Sequence, residues 1–343
     1  MRVLIIGGTG FIGPAVVAQL VASGHDVTLF HRGKTQADLP EGVQHITGDR
    51  RRLRDFSRQF QQLAPEVVLD MFPFTGSDAQ EVLGMFKGRA RRVVAISSQD
   101  VYRAYGRLIG TEPGEPDPLP LSEDAPLRER LYPYRGEQPR PEDDPQRWMD
   151  DYDKIPAEQI FLGDPALPGT ILRLPMVYGP RDDQHRFFAT LKRMDDGRPA
   201  NLLEEGIARW RWTRGYVENV AAAIALAVTN ERAAGRIYNV GEPDTLTMAE
   251  WVRTIGELVG WNGQVIVLPK GDMPAHLVNK LNTQQQLITD TSRIRQELSY
   301  TELITRVEAL RRTIAWERAN PPEPLDAAQY DYAAEDAALR RRD

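Results

Sequence analysis

Short apolar runs alternate with amphipathic stretches along most of the chain. The first run, Arg2–Ile6, is almost unbroken, which is typical of a strand buried on both faces of a parallel sheet. Valines and leucines at helical spacing after it predict a helix over residues 11–23. Similar runs predict further strands at residues 26–30, 43–46, 66–71, 92–97 and 170–174. Strands that alternate with helices in this way indicate an α/β fold with a doubly wound parallel sheet.

The turn after the first strand is rich in glycine, at positions 7, 8, 10 and 13. Gly7 permits a tight turn, Gly10 removes a side chain where a pyrophosphate would approach the backbone, and Gly13 lets the helix pack closely on the sheet. The start of the helix offers free amides and the positive end of its dipole to phosphate groups. We therefore predict a Rossmann-type dinucleotide site with these cofactor-binding residues: Gly7, Thr9, Gly10, Phe11, Ile12 and Gly13.

The end of the second predicted strand carries basic residues. NAD-binding proteins usually place an acidic residue there for the ribose hydroxyls of the adenosine. This chain has His31, Arg32 and Lys34 instead, so no carboxylate would repel a 2′-phosphate and two cations could hold one. We expect NADP(H) to be favoured over NAD(H), with His31 and Arg32 at the site. The alternative is that these basic residues form a solvated loop.

The composition excludes several classes of function. The chain has no cysteine, which excludes disulfides and thiolate chemistry, and its histidines lack metal-ligand spacing, so we expect no metal. A net charge of −6 argues against a dedicated nucleic-acid binder, and we expect no DNA partner. The sequence shows no secretory signal and no apolar run of the roughly 20 residues that span a membrane. We expect a cytoplasmic protein with no membrane partner.

Further motifs follow the glycine turn in order. They are Gly48-Asp49, Ser-Ser-x-x-Val-Tyr at 97–102, Lys154 with Glu158, Leu172-Arg173 with Val177-Tyr178-Gly179-Pro180, and Tyr238-Asn239-Val240-Gly241. In these motifs the chain resembles the extended short-chain dehydrogenases/reductases, the NAD-dependent epimerase/dehydratase family. The resemblance runs from the first residue to about Glu317. It implies a smaller, partly interleaved C-terminal α/β domain that binds the substrate.

The domain boundaries follow from these patterns. Residues 1–174 with about 213–240 are predicted to form the NADP-binding domain, and about 175–212 with 241–320 the substrate domain. The proline-rich segment 103–149 is predicted to be a lid over the substrate, with a linker or disordered segment as the alternative. Residues 321–343 are predicted to be a peripheral tail, either partly helical or disordered.

The resemblance also assigns roles to single residues. Asp49 would contact the adenine, Ser98 would hydrogen-bond the substrate oxygen, and Lys154 would bind the nicotinamide ribose. Arg50 and Pro175 complete the cofactor-binding residues in this assignment.

A nucleotide sugar and a homodimer are further implications of the resemblance. The arginine with which the family grips the phosphate of a nucleotide sugar falls, by its spacing from Val217, on Trp212. Arg211 and Arg214 flank that position, so the role stays open. Pairing of helices near residues 77–86 and 150–162 would form the four-helix interface of a dimer.

One position departs from the family pattern. The catalytic tyrosine of the family stands four residues before the lysine, where this chain has Asp150. Tyr152 is two residues before Lys154, which on a regular helix places the two side chains about 200° apart. Pro156, however, suits only the first turn of a helix, which would leave Tyr152 in an irregular segment that can turn inward. Three alternatives stay open: Tyr152 transfers the proton, Asp150 does, or neither does.

These observations predict an NADP(H)-dependent epimerase, dehydratase or reductase that acts on a hydroxyl or carbonyl group of a small molecule. Its catalytic residues would be Ser98, Tyr152 and Lys154. The alternative is a catalytically altered NADP-binding protein or an RNA-binding relative, because the N-terminal motifs also resemble chloroplast RNA-binding proteins and arginines cluster at 50–54. The acidic net charge and the otherwise complete cofactor motifs make RNA the less favoured partner.

Overall fold

The computed structural model describes residues 1–341 and shows a central parallel sheet. In this range the strands are β1 (Arg2–Ile6), β2 (Asp26–His31), β3 (Gln44–Thr47), β4 (Val67–Asp70), β5 (Arg92–Ser98), β6 (Gly169–Leu174), β7 (Met176–Tyr178), β8 (Ala200–Glu204), β9 (Arg214–Tyr216), β10 (Ile237–Asn239) and β11 (Gln264–Leu268). Seven of them form one sheet in the order β10-β6-β5-β4-β1-β2-β3, and every neighbouring pair is parallel. The predicted doubly wound parallel sheet is confirmed.

Helices cover both faces of this sheet. The helices of residues 1–341 are α1 (Gly13–Ala22), α2 (Ser57–Leu63), α3 (Gly76–Phe86), α4 (Arg103–Leu108), α5 (Lys154–Gly163), α6 (Phe188–Asp195), α7 (Glu205–Arg209), α8 (Val217–Thr229), α9 (Met248–Val259), α10 (Ser292–Leu298), α11 (Arg306–Ala319) and α12 (Tyr332–Arg340). Val3 and Ile5 of β1 pack in the core with α1 and α8, whereas Leu4 and Ile6 pack in the core with α3 and α5. Burial on both faces explains the unbroken apolar run.

Two small parallel sheets lie beyond β6 in the chain. One pairs β7 with β9 and the other pairs β8 with β11. The helix α11 begins at Arg306, because the Thr305 side chain caps it by accepting a hydrogen bond from the Glu308 amide. Among residues 1–341 no helix has the length and apolar character needed to cross a membrane.

The last described helix, α12, packs against the small sheet of β8 and β11. Its buried Glu335 accepts a hydrogen bond from Nη2 of Arg193 at 2.7 Å and is 3.1 Å from Nε2 of His276. A buried ion pair of this kind fixes the helix to α6. The last two residues of the predicted tail, 321–343, lie outside the described residues.

Candidate active site

The glycine turn lies between β1 and α1, at the edge of the sheet where the parallel strands end. Gly7 has a φ of +99°, in the left-handed region that favours glycine. A Cβ on Gly13 would lie 2.3 Å from the carbonyl oxygen of Gly8, so only glycine lets α1 start this close to the turn. A Cβ on Gly10 would meet only the ring of Phe72, at 3.6 Å, which leaves open space beside Gly10. Thr9, Phe11 and Ile12 are half-buried in the same turn.

The basic residues after β2 lie at the same edge. Nε2 of His31 and Nδ1 of His45 are 2.9 Å apart, so a hydrogen bond joins the two rings across β2 and β3. Hydrogen bonds from Arg51 lower the pKa of Asp49 to about 2, and the nearby charge of Arg32 makes a smaller contribution. Arg32 is exposed, so its guanidinium can reach an anion that binds at the end of β2.

Arg50 turns toward β4 instead. Its Nη1 and Nη2 atoms lie 2.9 and 3.0 Å from the two carboxylate oxygens of Asp70, and its Nε lies 3.3 Å from Asp78. Asp70 is completely buried, so the guanidinium compensates a carboxylate that water does not reach. The charge of Arg50 is therefore balanced within the protein.

Ser98, Tyr152 and Lys154 come together at this edge because β5 ends at Ser98 and α5 begins at Lys154. The Asp153 side chain caps α5 by accepting a hydrogen bond from the amide two residues on, at 2.9 Å. Pro156 therefore occupies the first helical turn, where its missing N–H costs little. The cap leaves Tyr152 outside the helix, so the helical spacing that would turn it away from Lys154 does not apply.

Lys154 is buried beside two aromatic rings. Its Nζ donates a hydrogen bond to the carbonyl oxygen of Ile96 at 2.9 Å, and it lies 4.8 Å from the ring centroid of Phe74 and 5.7 Å from that of Tyr152. Burial lowers the pKa of Lys154 to about 8. Its cationic form would stabilise negative charge on a nearby oxygen.

The Tyr152 phenol is also buried, and its hydroxyl belongs to a polar cluster. It donates a hydrogen bond to Oδ2 of Asp100 at 2.9 Å. Burial raises the pKa of Tyr152 well above its ordinary value, the charge of Asp100 raises it further, and the neighbouring Ser98 hydroxyl lowers it. Ser98 in turn accepts a hydrogen bond from the Asp100 amide at 3.1 Å. The three side chains therefore form one cluster at the end of β5.

Asp150, the other candidate for proton transfer, is bound to the proline-rich segment. Its Oδ2 accepts hydrogen bonds from the amide of Arg140 at 2.8 Å and from Nη1 of Arg147 at 2.9 Å, and Oδ1 pairs with the guanidinium of Arg140. The hydrogen bond from the Arg140 amide is the main cause that lowers the pKa of Asp150. The Asp150 carboxylate therefore anchors the proline-rich segment.

The proline-rich segment packs over Tyr152. Trp148 stacks on Phe74 with ring centroids 4.7 Å apart, and Tyr134 donates a hydrogen bond to Oδ2 of Asp100 at 2.9 Å. Arg128, which is buried, pairs with Asp153 at 3.2 Å. Phe74, Asp100, Tyr134 and Trp148 were not among the predicted site residues. Asp100 had a recognisable signal, because it lies inside the Ser-Ser-x-x-Val-Tyr motif.

The remaining predicted positions are Pro175, Trp212 and Arg214. Pro175 follows β6 and packs against Gly215, where a Cβ would lie 3.1 Å from its ring. Trp212 lies beside Tyr105, with ring centroids 6.2 Å apart. Arg214 is buried between Phe187 and Trp251, 5.0 and 4.9 Å from their ring centroids, and burial lowers its pKa to about 10.

Comparisons with known proteins show the family and the fold of the chain. The model of the NAD dependent epimerase/dehydratase family matches residues 3–241. A 2'-dehydrokanamycin reductase of Streptomyces kanamyceticus is 27% identical over 267 residues, which cover 76% of this chain and 67% of the relative. A chloroplast stem-loop binding protein of Arabidopsis thaliana is 26% identical over 257 residues, and the match spans 70% of this chain but only 58% of that relative.

A solved structure with the same fold is a dTDP-glucose 4,6-dehydratase of Bacillus anthracis in complex with NAD. Its TM-score is 0.66 at 16% identity, and the match covers 93% of this chain and 97% of that one. At this identity the likeness concerns the fold.

Proposed function

Because the chain belongs to the NAD-dependent epimerase/dehydratase family and is an enzyme of the extended short-chain dehydrogenase/reductase type, we propose that it is an NADP(H)-dependent oxidoreductase. It interconverts a hydroxyl and a carbonyl group on a small molecule. The observation that carries this proposal is the buried cluster of Ser98 and Tyr152 beside the Lys154 ammonium group. A hydroxyl, a phenol and a cation at the end of the sheet suit the developing negative charge on a carbonyl oxygen.

The residues at the sheet edge fit a dinucleotide. The space beside Gly10 is open, Gly13 brings α1 close to the turn, and among the described residues no side chain caps the start of α1. Free amides at the start of a ten-residue helix form a ready site for the pyrophosphate. When bound, the cofactor supplies or accepts the hydride.

Each catalytic side chain then has a defined task. The Ser98 hydroxyl donates a hydrogen bond to the substrate oxygen. The Tyr152 hydroxyl gives that oxygen a proton in reduction and takes one in oxidation. Lys154 would hold the ribose of the cofactor, and its charge would stabilise the substrate oxygen during the transfer. The lid formed by residues 103–149 excludes water from the reaction.

The names of two similar proteins suggest two substrate classes for this chain. The name of the Streptomyces relative describes reduction of an oxidised kanamycin, and the Bacillus structure belongs to an enzyme of a nucleotide sugar. We propose keto sugars and nucleotide sugars as the first substrates to assay with NADPH. Consumption of NADPH by one of them, and mass-spectrometric detection of NADP(H) in the purified protein, would support the proposal. A protein that binds neither NADPH nor NADH would contradict it.

RNA binding has less support. Three of the four arginines at 50–54 pair with a carboxylate: Arg50 at 2.9 Å, Arg51 at 2.7 Å and Arg52 at 2.5 Å. RNA phosphate groups would have to displace these carboxylates. The resemblance to the Arabidopsis stem-loop binding protein is therefore a weak argument for RNA binding by this chain. Salt-sensitive binding of a labelled RNA hairpin at micromolar concentration would favour RNA after all.

We predict that the protein binds NADPH more tightly than NADH, because Arg32 is an exposed cation where NAD-binding proteins place a carboxylate. Arg32→Ala is expected to weaken NADPH binding by about tenfold, roughly the loss of one exposed charge-assisted contact, and to leave NADH binding unchanged. Isothermal titration calorimetry measures both affinities. Arg209→Ala, on α7, is the control, and equal affinities of the unmodified protein for the two cofactors would contradict the prediction.

We also propose a cytoplasmic homodimer that pairs through α3 and α5. These two helices lie on the same face of the sheet, and Leu162 on α5 is exposed. Light scattering at micromolar concentration is expected to give twice the mass of one chain, and Leu162→Glu is expected to shift the protein toward monomer because it places a charge in the apolar interface. A monomeric unmodified protein at that concentration would rule out the proposal.

A further inference from the structure

A buried carboxylate stands behind the Tyr152 phenol. Asp100 follows Ser98 by two residues, and both Tyr152 and Tyr134 donate hydrogen bonds to its Oδ2, each at 2.9 Å. Tyr105 donates a further hydrogen bond to the Tyr134 hydroxyl at 3.1 Å. One hydrogen-bonded chain therefore runs from Tyr152 through Asp100 to Tyr134 and on to Tyr105 of α4.

The charge of Asp100 is opposed by the charges of Arg128 and Lys154 and by hydrogen bonds from Tyr134 and Tyr152. Among the described residues its Oδ1 is buried without a hydrogen-bond partner, and no cation forms an ion pair with its carboxylate. The guanidinium of Arg128 donates to the backbone oxygen of Asp100 and pairs with Asp153 instead. The ionisable groups that face this carboxylate are Arg128, Tyr134, Tyr152, Lys154 and, through Tyr134, Tyr105.

This environment gives Asp100 a pKa above that of an ordinary aspartate. Burial raises the pKa of Asp100, whereas the charge of Arg128 and the hydrogen bonds from Tyr134 and Tyr152 lower it. The pKa of Tyr152 is raised as well. Burial and the charge of Asp100 hold it well above the ordinary value of a phenol, so Tyr152 keeps its proton. A free phenolate at Tyr152 is therefore unfavourable while Asp100 is ionised.

We propose that Asp100 is the proton store of the reaction and that Tyr152 relays the proton between Asp100 and the substrate oxygen. The proposal rests on the oxidoreductase function given above. Tyr152 has the geometry for a relay, because its hydroxyl can accept a proton from the substrate while it donates its own to Asp100. No phenolate then has to form.

The step balances in both directions. In oxidation the substrate O–H bond breaks and its proton bonds to the Tyr152 oxygen, while the original Tyr152 proton moves to Oδ2 of Asp100. The hydride leaves the substrate carbon for the nicotinamide cofactor, so the alcohol is oxidised to a carbonyl and the cofactor is reduced. In reduction each transfer runs in reverse, and the proton comes from the Asp100 carboxylic acid.

The lid takes part through Tyr134. Its hydrogen bond stabilises the ionised form of Asp100, so a closed lid lowers the proton affinity of the store. Tyr134→Phe should therefore raise the pH at which Asp100 releases its proton. Tyr105→Phe is the matched control, because the Tyr105 hydroxyl contacts Tyr134 and not the carboxylate.

Infrared difference spectroscopy tests this assignment on the full-length protein with NADP⁺, without a substrate. The carboxylic-acid band that disappears in Asp100→Asn reports Asp100, and we expect its pH midpoint to lie above the ordinary range of an aspartate. Tyr134→Phe is expected to shift that midpoint upward by about one pH unit, and Tyr105→Phe by much less. The assignment would be overturned if the pH midpoint of this band lay in the ordinary range of an aspartate, or if Tyr134→Phe did not shift that midpoint.

Ultraviolet titration of the Tyr152 phenol gives a second measurement. The difference between proteins with and without Tyr152 is expected to show no phenolate around neutral pH. In the Asp100→Asn background the pKa of Tyr152 is expected to fall, because the charge that raises it is gone. A phenolate at neutral pH in the unmodified protein would overturn the relay and leave the oxidoreductase function intact. Failure to bind either cofactor would refute that function and leave the coupling of Asp100 and Tyr152 measurable.

Discussion

Replacement of Tyr152 with phenylalanine is expected to lower kcat by on the order of 10²-fold or more, the usual scale for a positioned acid or base. The phenol is buried next to Ser98 and Asp100, and the substitution removes only the hydroxyl that carries the proton. The ring that contacts Phe74 and Trp148 is kept, so the proline-rich segment should still pack over it. Steady-state kinetics measures the loss, with NADPH and the keto sugar or nucleotide sugar on which the unmodified enzyme acts. Calorimetry checks that NADPH still binds.

Asp150→Asn is the informative control for that experiment. The Asp150 carboxylate anchors the proline-rich segment through Arg140 and Arg147, so its loss is expected to raise KM while kcat stays within a few-fold of the unmodified enzyme. The opposite pattern, in which Asp150→Asn abolishes turnover and Tyr152→Phe is mild, would contradict the role given to Tyr152. It would point to a carboxylate mechanism.

The sheet could be predicted from the sequence because its signals are local. A strand buried on both faces needs apolar residues at every position, so β1 is visible as a run from Val3 to Ile6. The role of Gly13 in packing was also visible, because its spacing from the strand is set by the turn itself. The sequence predicted the position of α12 less clearly, because the contact that holds this helix joins Glu335 to Arg193, which is distant in the sequence.

The candidate site was only partly predictable, because its contacts are long-range. Pro156 indicated that the helix starts late, but only the fold shows that Tyr152 then turns toward Asp100. The partner Tyr134 comes from a proline-rich segment whose composition gives no sign of such a contact. Similarly, the family resemblance placed Arg50 beside the cofactor, and the sequence gives no sign that Asp70 and Asp78 face it.

A second buried network supports the strand that carries Ser98, and its disruption is the largest stability effect that we expect. Arg173 of β6 makes two hydrogen bonds to Glu158 of α5, at 3.0 and 2.7 Å, and both side chains are buried. The same guanidinium donates to the Tyr102 hydroxyl at 3.1 Å and to the Glu123 carbonyl at 2.8 Å. Glu158 also accepts a hydrogen bond from the Ser97 hydroxyl. The network therefore ties β5, β6 and α5 together directly behind the site.

Glu158→Gln is expected to reduce the free energy of unfolding by about 3–5 kcal/mol, because it leaves the charge of Arg173 buried without its counter-ion. Urea titration of the full-length protein measures the change. Glu308→Gln is the matched control: Glu308 pairs with Arg312 at 2.8 Å on the exposed side of α11, and such pairs contribute about 1 kcal/mol or less. The double variant Glu158→Gln/Arg173→Met should be less destabilised than Glu158→Gln alone, since no unpaired charge remains. A loss in Glu158→Gln no larger than in the control would mean that water or another group compensates Arg173, and the network would then not hold the strands together.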